Sequence, residues 1–184
     1  YEPGDERKEA SLKEGYFDQS GDWVAVPFIN KYNHEHDVRG ATDDNWPVYR
    51  YSDVLLMLAE TINEISGPTG EAFEYLNSVR QRADLPPLSG LDKTGLRDAI
   101  AKERRVELAF ENHRWFDLKR THTNQELIEL LKAYGRSEIS SPTTDRGGIP
   151  FSSGDYQIEE YQLLFPIPAD QIRINPDIQQ NPGY

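Results

Sequence analysis

The sequence contains no cysteine. Disulfides and thiol chemistry are therefore excluded, and the redox state of its compartment leaves no mark on the chain. Also missing is any run approaching the roughly 20 apolar residues that a membrane-spanning helix requires. Basic residues are the minority: 20 Lys and Arg stand against 32 Asp and Glu, a formal net charge of −12. That balance argues against nucleic-acid backbones and anionic lipid as direct partners. It suits a soluble binder of neutral ligands, and equally many ordinary proteins. No Ser/His/Asp hydrolase spacing, phosphate-binding glycine loop or HExxH motif occurs. What is present is a chain of 184 residues, a length that fits one domain with a real core. It carries 10 tyrosines and three tryptophans. Aromatics beyond the needs of a core are the material of a sugar platform, but a count does not locate one.

The chain is organised around Leu96 to Arg120, LRDAIAKERRVELAFENHRWFDLKR, the longest Gly- and Pro-free run with a helical apolar repeat. At roughly 100° per residue, Leu96, Ala99, Ile100, Glu103, Glu107, Phe110, Glu111 and Arg114 share one face. Charges on a core-facing stripe must be paired, because a lone buried charge is costly. Glu103 and Glu107 are expected to meet arginines, with Arg104, Arg105, Arg114 and Arg50 as candidates. The structural ion-pair network is thus read as Glu103, Arg104, Glu107 and Arg114.

Four collinear stretches resemble the SusD/RagB family of Bacteroidetes surface glycan-binding lipoproteins. They are ERRVELAFENHRWFDLKR, VYRYSDVLLMLAETINE (48–64), YLNSVRQRADLPPL (75–88) and the C-terminal FPIPADQIRINPDIQQNPGY (165–184). GDERK (4–8) matches a short family motif more loosely. Asp84 and Asn112 stand where the family pattern carries glycine, and both residue types tolerate left-handed backbone. The resemblance implies a C-terminal portion of a longer protein whose lipoprotein signal and acylated cysteine lie in a missing N-terminus. It implies a non-catalytic subunit at the outer-membrane surface that hands oligosaccharide to a SusC-like TonB-dependent transporter. No cofactor follows. The membrane is a partner only through that N-terminal lipid anchor.

The fold class is mostly α, SusD-like, with degenerate tetratricopeptide-type hairpins and long irregular loops. Residues 1–47 read as a loop-rich lead-in, 48–134 as helical hairpins and 135–184 as an irregular loop and tail of one domain. Trp23 to Ile29 is apolar but holds Pro27, which limits it to an edge or extended segment. Asn30 to Trp46 has no period and reads as a long surface loop. Tyr49 to Ile65 places Tyr51, Val54, Leu55, Leu58, Ile62 and Ile65 on one helical face. Gly70 to Ala83 forms the antiparallel partner, and Ala59, Ala72, Leu76, Val79 and Pro86 loosely follow the repeat pattern. Thr94 is a candidate cap for the central helix. Asn124 to Ala133 makes a fourth helix, with Gly135 as its stop. Gly135 to Glu160 reads as a mobile loop, Tyr161 to Ile167 as a buried extended segment, and Ala169 to Ile172 as one helical turn. The tail lacks the apolar surface to fold alone and must lie on the domain or fray.

Four constellations are candidates for chemistry. Glu103 and Glu107 are four apart, and their carboxyls can approach ~5–6 Å, the separation of a retaining glycosidase. Nearby arginines lower carboxyl pKa values rather than raise one, so an ion-pair network is the preferred reading. His34-Glu35-His36-Asp37 offers metal-ligand types, but a zinc site usually has other spacings, and a solvated loop is preferred. Asp43, Asp44 and Asn45 offer oxygens without the calcium-loop pattern. For sugar contact the candidates are Trp23, Tyr32 and Trp46, with Asn30, Asn33 and Asp44 available to hydroxyls. The competing reading has each ring plugging a loop onto the helices. No family motif maps a ligand residue onto these positions. Two other functions stay open: a helical protein–protein interaction module, and a polysaccharide hydrolase using Glu103 and Glu107.

Overall fold

A computed structural model describes residues 1–34, 38, 45–140 and 156–184, and of residues 137–140 the backbone only. Two compact units emerge, Tyr1–Arg114 and Trp115–Tyr184. The division falls in the first turn of a helix, away from the composition shifts near residues 47 and 134.

The first unit opens with α1 (Arg7–Ser11) and four two-residue strands, β1 (Leu12–Lys13), β2 (Tyr16–Phe17), β3 (Trp23–Val24) and β4 (Phe28–Ile29). β1 pairs antiparallel with β4, Leu12 opposite Ile29, and β2 with β3, Tyr16 opposite Val24. Pro27 lies between β3 and β4, which belong to different pairs. The apolar run is thus split where proline removes a ladder donor. Trp23 lies across Gly15, where a Cβ would overlap its ring.

Three helices follow: α2 (Tyr51–Ser66), α3 (Gly70–Arg82) and α4 (Lys93–Glu107). Leu55, Leu56 and Ala59 of α2, Ala72, Leu76 and Val79 of α3, and Leu96 and Ile100 of α4 form one buried apolar cluster. The buried row of α2 differs from the expected one. Tyr51 and Ile65 are 78% and 79% exposed, and Val54 and Leu58 are also exposed, whereas Ser52, Leu56, Ala59 and Asn63 face inward. α2 is apolar on two adjacent rows, so period alone does not choose between them. Ala59 and Ala72, both fully buried, let α2 and α3 approach closely along one row. The outward row is left as an exposed apolar stripe.

Thr69 caps α3 by accepting from the Ala72 N–H. Asp92, not Thr94, caps α4, accepting from the Gly95 N–H at 2.7 Å. The long central helix does not run through. α4 ends at Glu107, the backbone turns left-handed at Phe110 (φ 67°) and Asn112 (φ 63°), and α5 (His113–Thr121) begins afresh. Asp84 is left-handed too (φ 58°). Both residues that replace glycine in the family pattern therefore adopt the conformation glycine favours. Phe110 carried no such signal.

In the second unit, Leu118, Leu127, Ile128 and Leu163 are the buried cluster. α6 (Asn124–Ser140) runs past Gly135, correcting the expected stop there. Thr123 and Glu126 exchange side-chain-to-backbone bonds of 3.3 and 2.8 Å at its start, a capping box. Gly135 is buried, and a Cβ there would overlap the Tyr156 ring. It serves close approach, not termination. Tyr161 to Ile167 is not a buried extended run. It begins with a 3-10 turn (Glu160–Leu163) in which Leu163 alone is buried, and Phe165 is 77% exposed. α7 (Ala169–Ile174) follows. The tail is tied back: Gln180 bonds both the N–H and the C=O of Ile167, and the Tyr184 hydroxyl donates to the Leu164 carbonyl at 2.7 Å. Of the expected mobile loop, residues 141–155 lie outside the described residues.

Candidate functional site

The C-terminal half of α4 and the turn after it carry three carboxylates at four-residue spacing. Glu103, Glu107 and Glu111 are all buried, at 3% exposure or less. Their partners come from far away in sequence. Arg7 Nη1 donates to Glu103 Oε1 at 2.6 Å and to Glu107 Oε2 at 3.1 Å, while its Nε and Nη2 fork onto the Asp5 carboxylate at 2.8 Å. Arg80 Nη1 donates to Glu103 Oε2 at 3.0 Å, and Arg82 Nη2 to Glu107 Oε2 at 2.5 Å. Arg50 Nη1 donates to Glu107 Oε1 at 2.9 Å. Of the four arginines expected as partners, Arg50 takes up such a contact among the described residues. Arg104 turns to α2 instead, where its Nη1 meets the buried Asp53 carboxylate at 2.7 Å. It sits one residue from Glu103, and one residue on a helix is a rotation of roughly 100°. Arg114 falls beyond the left-handed turn and is exposed, so the continuous wheel misplaces it on the buried face.

These contacts set the charge states. Burial pushes the Glu107 carboxyl up, but bonds from Arg50 and Ser52, the charge of Arg82 and the bond from Arg7 hold it at about 2. Glu111 is held below the usual carboxylate range, because Arg50 and Lys31 outweigh its burial. Burial works against the cationic form of Arg7, yet its bonds to Asp5 and Glu103 keep it more basic than usual. An acid–base pair for glycoside cleavage needs one carboxyl with a raised pKa. Glu107 has the opposite shift, and the Arg7 guanidinium bridges it to Glu103.

The outer end of this network anchors a loop. Lys31 Nζ donates to the carbonyls of Glu107 (2.9 Å) and Ala109 (3.1 Å) and pairs with the Glu111 carboxylate. Arg50 Nε and Nη2 fork onto Glu111 at 2.8 Å each, and Nη2 also bonds the Glu107 carbonyl at 2.9 Å. Those carbonyls are available because α4 ends there and the chain turns away. Next to these two anchors are Tyr32 and Trp46. Their rings stack with centroids 5.1 Å apart and planes inclined by 25°. Trp46 is 51% exposed. The Tyr32 hydroxyl is buried without a hydrogen-bond partner among the described residues. Burial, then the Glu111 charge, pushes its pKa up against the opposing charge of Arg50.

The other candidates lie apart from this pair. Trp23 is half exposed but packs edge-on to Phe17 at 5.1 Å in the β2–β3 pair. Asn30 donates from Nδ2 to the carbonyls of Glu9 and Ala10, and its N–H bonds the Ser11 carbonyl, which ties the loop to α1. Asn33 donates to Asn30 Oδ1 at 3.1 Å. Asp44, Asp43 and residues 35–37 of the His-Glu-His-Asp cluster lie outside the described residues. Among the described residues no group of three or more His, Asp or Glu could hold a metal ion. No described helix is long and apolar enough to cross a membrane. Sequence reasoning missed Lys31 and Glu111 as loop anchors. The one signal available was a carboxylate on the buried face with no assigned partner.

Comparison with known proteins agrees with the architecture. A SusD-like protein of Formosa agariphila is 36% identical over 149 residues, 77% of this chain and 25% of its own length. A second from the same organism is 34% identical over 175 residues, 88% of this chain and 31% of its own. Among solved structures, a SusD homologue from Bacteroides thetaiotaomicron superposes with a TM-score of 0.74 at 26% identity. It matches 99% of this chain and 41% of its own. The surface glycan-binding protein A of Bacteroides uniformis shares the fold, with a TM-score of 0.66 at 23% identity over 98% of this chain and 38% of its own. The chain thus spans between a quarter and two fifths of the length of these relatives. The SusD family pattern matches residues 9–184, and with that extent of agreement the chain belongs to the SusD family.

Proposed function

We propose that this chain contributes to a non-catalytic, cell-surface glycan-binding protein, and that Trp46 stacked on Tyr32 is its sugar platform. The observation that carries the reading is the half-exposed Trp46 ring stacked on the partly buried Tyr32, beside two anchored loop stems. A stacked aromatic face covers the apolar face of a pyranose, and adjacent polar side chains take its hydroxyls. Family membership supports the class of function, and the Bacteroides uniformis neighbour is itself a surface glycan-binding protein. In this reading the whole protein sits at the outer membrane through an N-terminal lipid anchor. It passes oligosaccharide to a SusC-like TonB-dependent transporter. Asn33 and Asp44 are proposed to reach the sugar hydroxyls. Trp23 and Asn30 have packing roles that account for them without a ligand.

The test is isothermal titration of the whole protein with neutral oligosaccharides, comparing Trp46→Ala and Tyr32→Ala with the parent. Losing one anchor ring should weaken binding by ~1–3 kcal/mol, the scale of ring–base stacking. Unchanged affinity in both folded variants moves the site out of this chain and leaves it a scaffold. A helical interaction module competes on one observation, the exposed apolar row Tyr51, Val54, Leu58 and Ile65 of α2. No heat with any sugar, and loss of transporter binding in Leu58→Asp, would favour that alternative.

A further inference from the structure

Tyr32 and Trp46 are separated by a long stretch of chain, yet their rings meet at 5.1 Å. Something must fix the two ends of that stretch against each other. Lys31 is the residue before Tyr32, and Arg50 lies four residues after Trp46. Both cations converge on the two oxygens of one carboxylate, Glu111, whose side chain is 1% exposed. We propose that Glu111 is the positioning residue of the Tyr32–Trp46 platform: by clamping Lys31 and Arg50 together it sets the distance and tilt between the rings. This deepens the reading above and rests on it for the sugar, though not for the ring geometry.

Glu107 also receives both loop stems, Lys31 at its carbonyl and Arg50 at its carbonyl and its carboxylate, but Glu111 is the carboxylate on which both cations converge, and three features set it apart from Glu103. Lys31 contacts Glu111 and the carbonyls of Glu107 and Ala109, whereas Glu103 is held by Arg7 and Arg80 and touches neither loop stem. A forked guanidinium–carboxylate pair has fixed planar geometry, so Arg50 transmits the orientation of Glu111 to the chain that carries Trp46. And Glu111 follows directly on Phe110 in the left-handed turn, beyond the end of α4, whereas Glu103 lies within the helix. Glu103 is therefore an internal control. It is a buried carboxylate of the same network, but it has no loop stem to hold.

The experiment reads the rings directly. Proton NMR of the whole protein should show ring-current shifts on the Trp46 indole from Tyr32, identified by their disappearance in Tyr32→Ala. In Glu111→Gln those shifts should collapse towards the Tyr32→Ala positions, while in Glu103→Gln they stay at parent values. Lys31→Met, whose side chain is partly exposed, should give a partial collapse and serves if Glu111→Gln does not fold. Equal shifts in Glu111→Gln and Glu103→Gln, or no change in Glu111→Gln and Lys31→Met, overturns the proposal. In titrations, Glu111→Gln should lower sugar affinity on the order of 10-fold, and its effect should be non-additive with that of Trp46→Ala. Collapsed ring shifts in a protein whose parent binds no sugar sink the glycan reading and leave the positioning role standing. Sugar affinity lost in Trp46→Ala but intact in Glu111→Gln does the reverse.

Discussion

The two halves of α4 hold the first unit together by opposite means. Leu96 and Ile100 belong to an apolar cluster with α2 and α3, while Glu103 and Glu107, on the same face one and two turns later, are met by guanidinium groups. The apolar half is non-directional: any chain of suitable volume fills it. The ionic half is directional and selects partners by geometry. Dispersion and burial give the first its strength. The second is strong only as a complete set, since each member left alone is a buried charge.

Truncation should expose that contrast. Glu107→Ala leaves Arg7, Arg50 and Arg82 short of a carboxylate and should cost ~3–5 kcal/mol; Leu76→Ala opens a cavity and should cost ~2–5 kcal/mol. The two losses overlap in size but not in remedy. Adding Arg82→Met, which removes a guanidinium whose carboxylate partner is Glu107, should recover part of the Glu107→Ala loss and none of the Leu76→Ala loss, as read by urea unfolding. A parent-like midpoint for Glu107→Ala would mean that the ionic half contributes nothing.

Acid separates the halves next. Glu107 titrates at about 2 when folded, against 4.5 ordinarily. Its folded pKa is depressed, so the stability it confers is present above pH 4.5 and lost as pH falls from 4.5 towards 2. The difference is on the order of 3 kcal/mol. Unfolding midpoints followed across that window should fall less steeply in Glu107→Ala than in the parent, and in parallel with the parent in Leu76→Ala. Equal slopes in all three would break the comparison. The smallest effect is at the start of the helix. Asp92→Ala removes the cap of α4 and should cost ~1 kcal/mol, whereas Thr94→Ala, which takes away no cap, should leave the melting curve close to the parent's.

How much of this was written in the sequence varies along α4. The four-residue spacing of Glu103 and Glu107 placed both on the buried face, because period is local information; Glu111 is buried as well, but beyond the end of α4, where the period no longer holds. Of their partners, Arg50 was among the expected candidates and does meet Glu107, but Arg7, Arg80 and Arg82 were not legible. Arg7 lies about a hundred residues away, in a five-residue helix with no apolar repeat to announce it. Arg104 was the wrong candidate because nearness in sequence is not nearness around a helix. The break at Phe110 was hidden as well, since neither Gly nor Pro marks it and a bulky residue takes the left-handed conformation. At the candidate site, the absence of period and the presence of Tyr32 and Trp46 suggested a surface loop. That the two rings stack on each other depends on Lys31, Arg50 and Glu111 meeting in space, which no window of sequence contains.

The outward row of α2 has a consequence for how the isolated chain behaves in bulk. Tyr51, Val54, Leu58 and Ile65 form an uncharged stripe on a molecule of net charge −12. Such a molecule is a like-charged colloid with one adhesive band. In dilute buffer repulsion reaches tens of ångströms and keeps copies apart. At 1 M salt the screening length shrinks to about 3 Å, and the band is then free to act. The chain should salt out early and by contact along α2, so that solubility becomes a direct gauge of whether that stripe is covered.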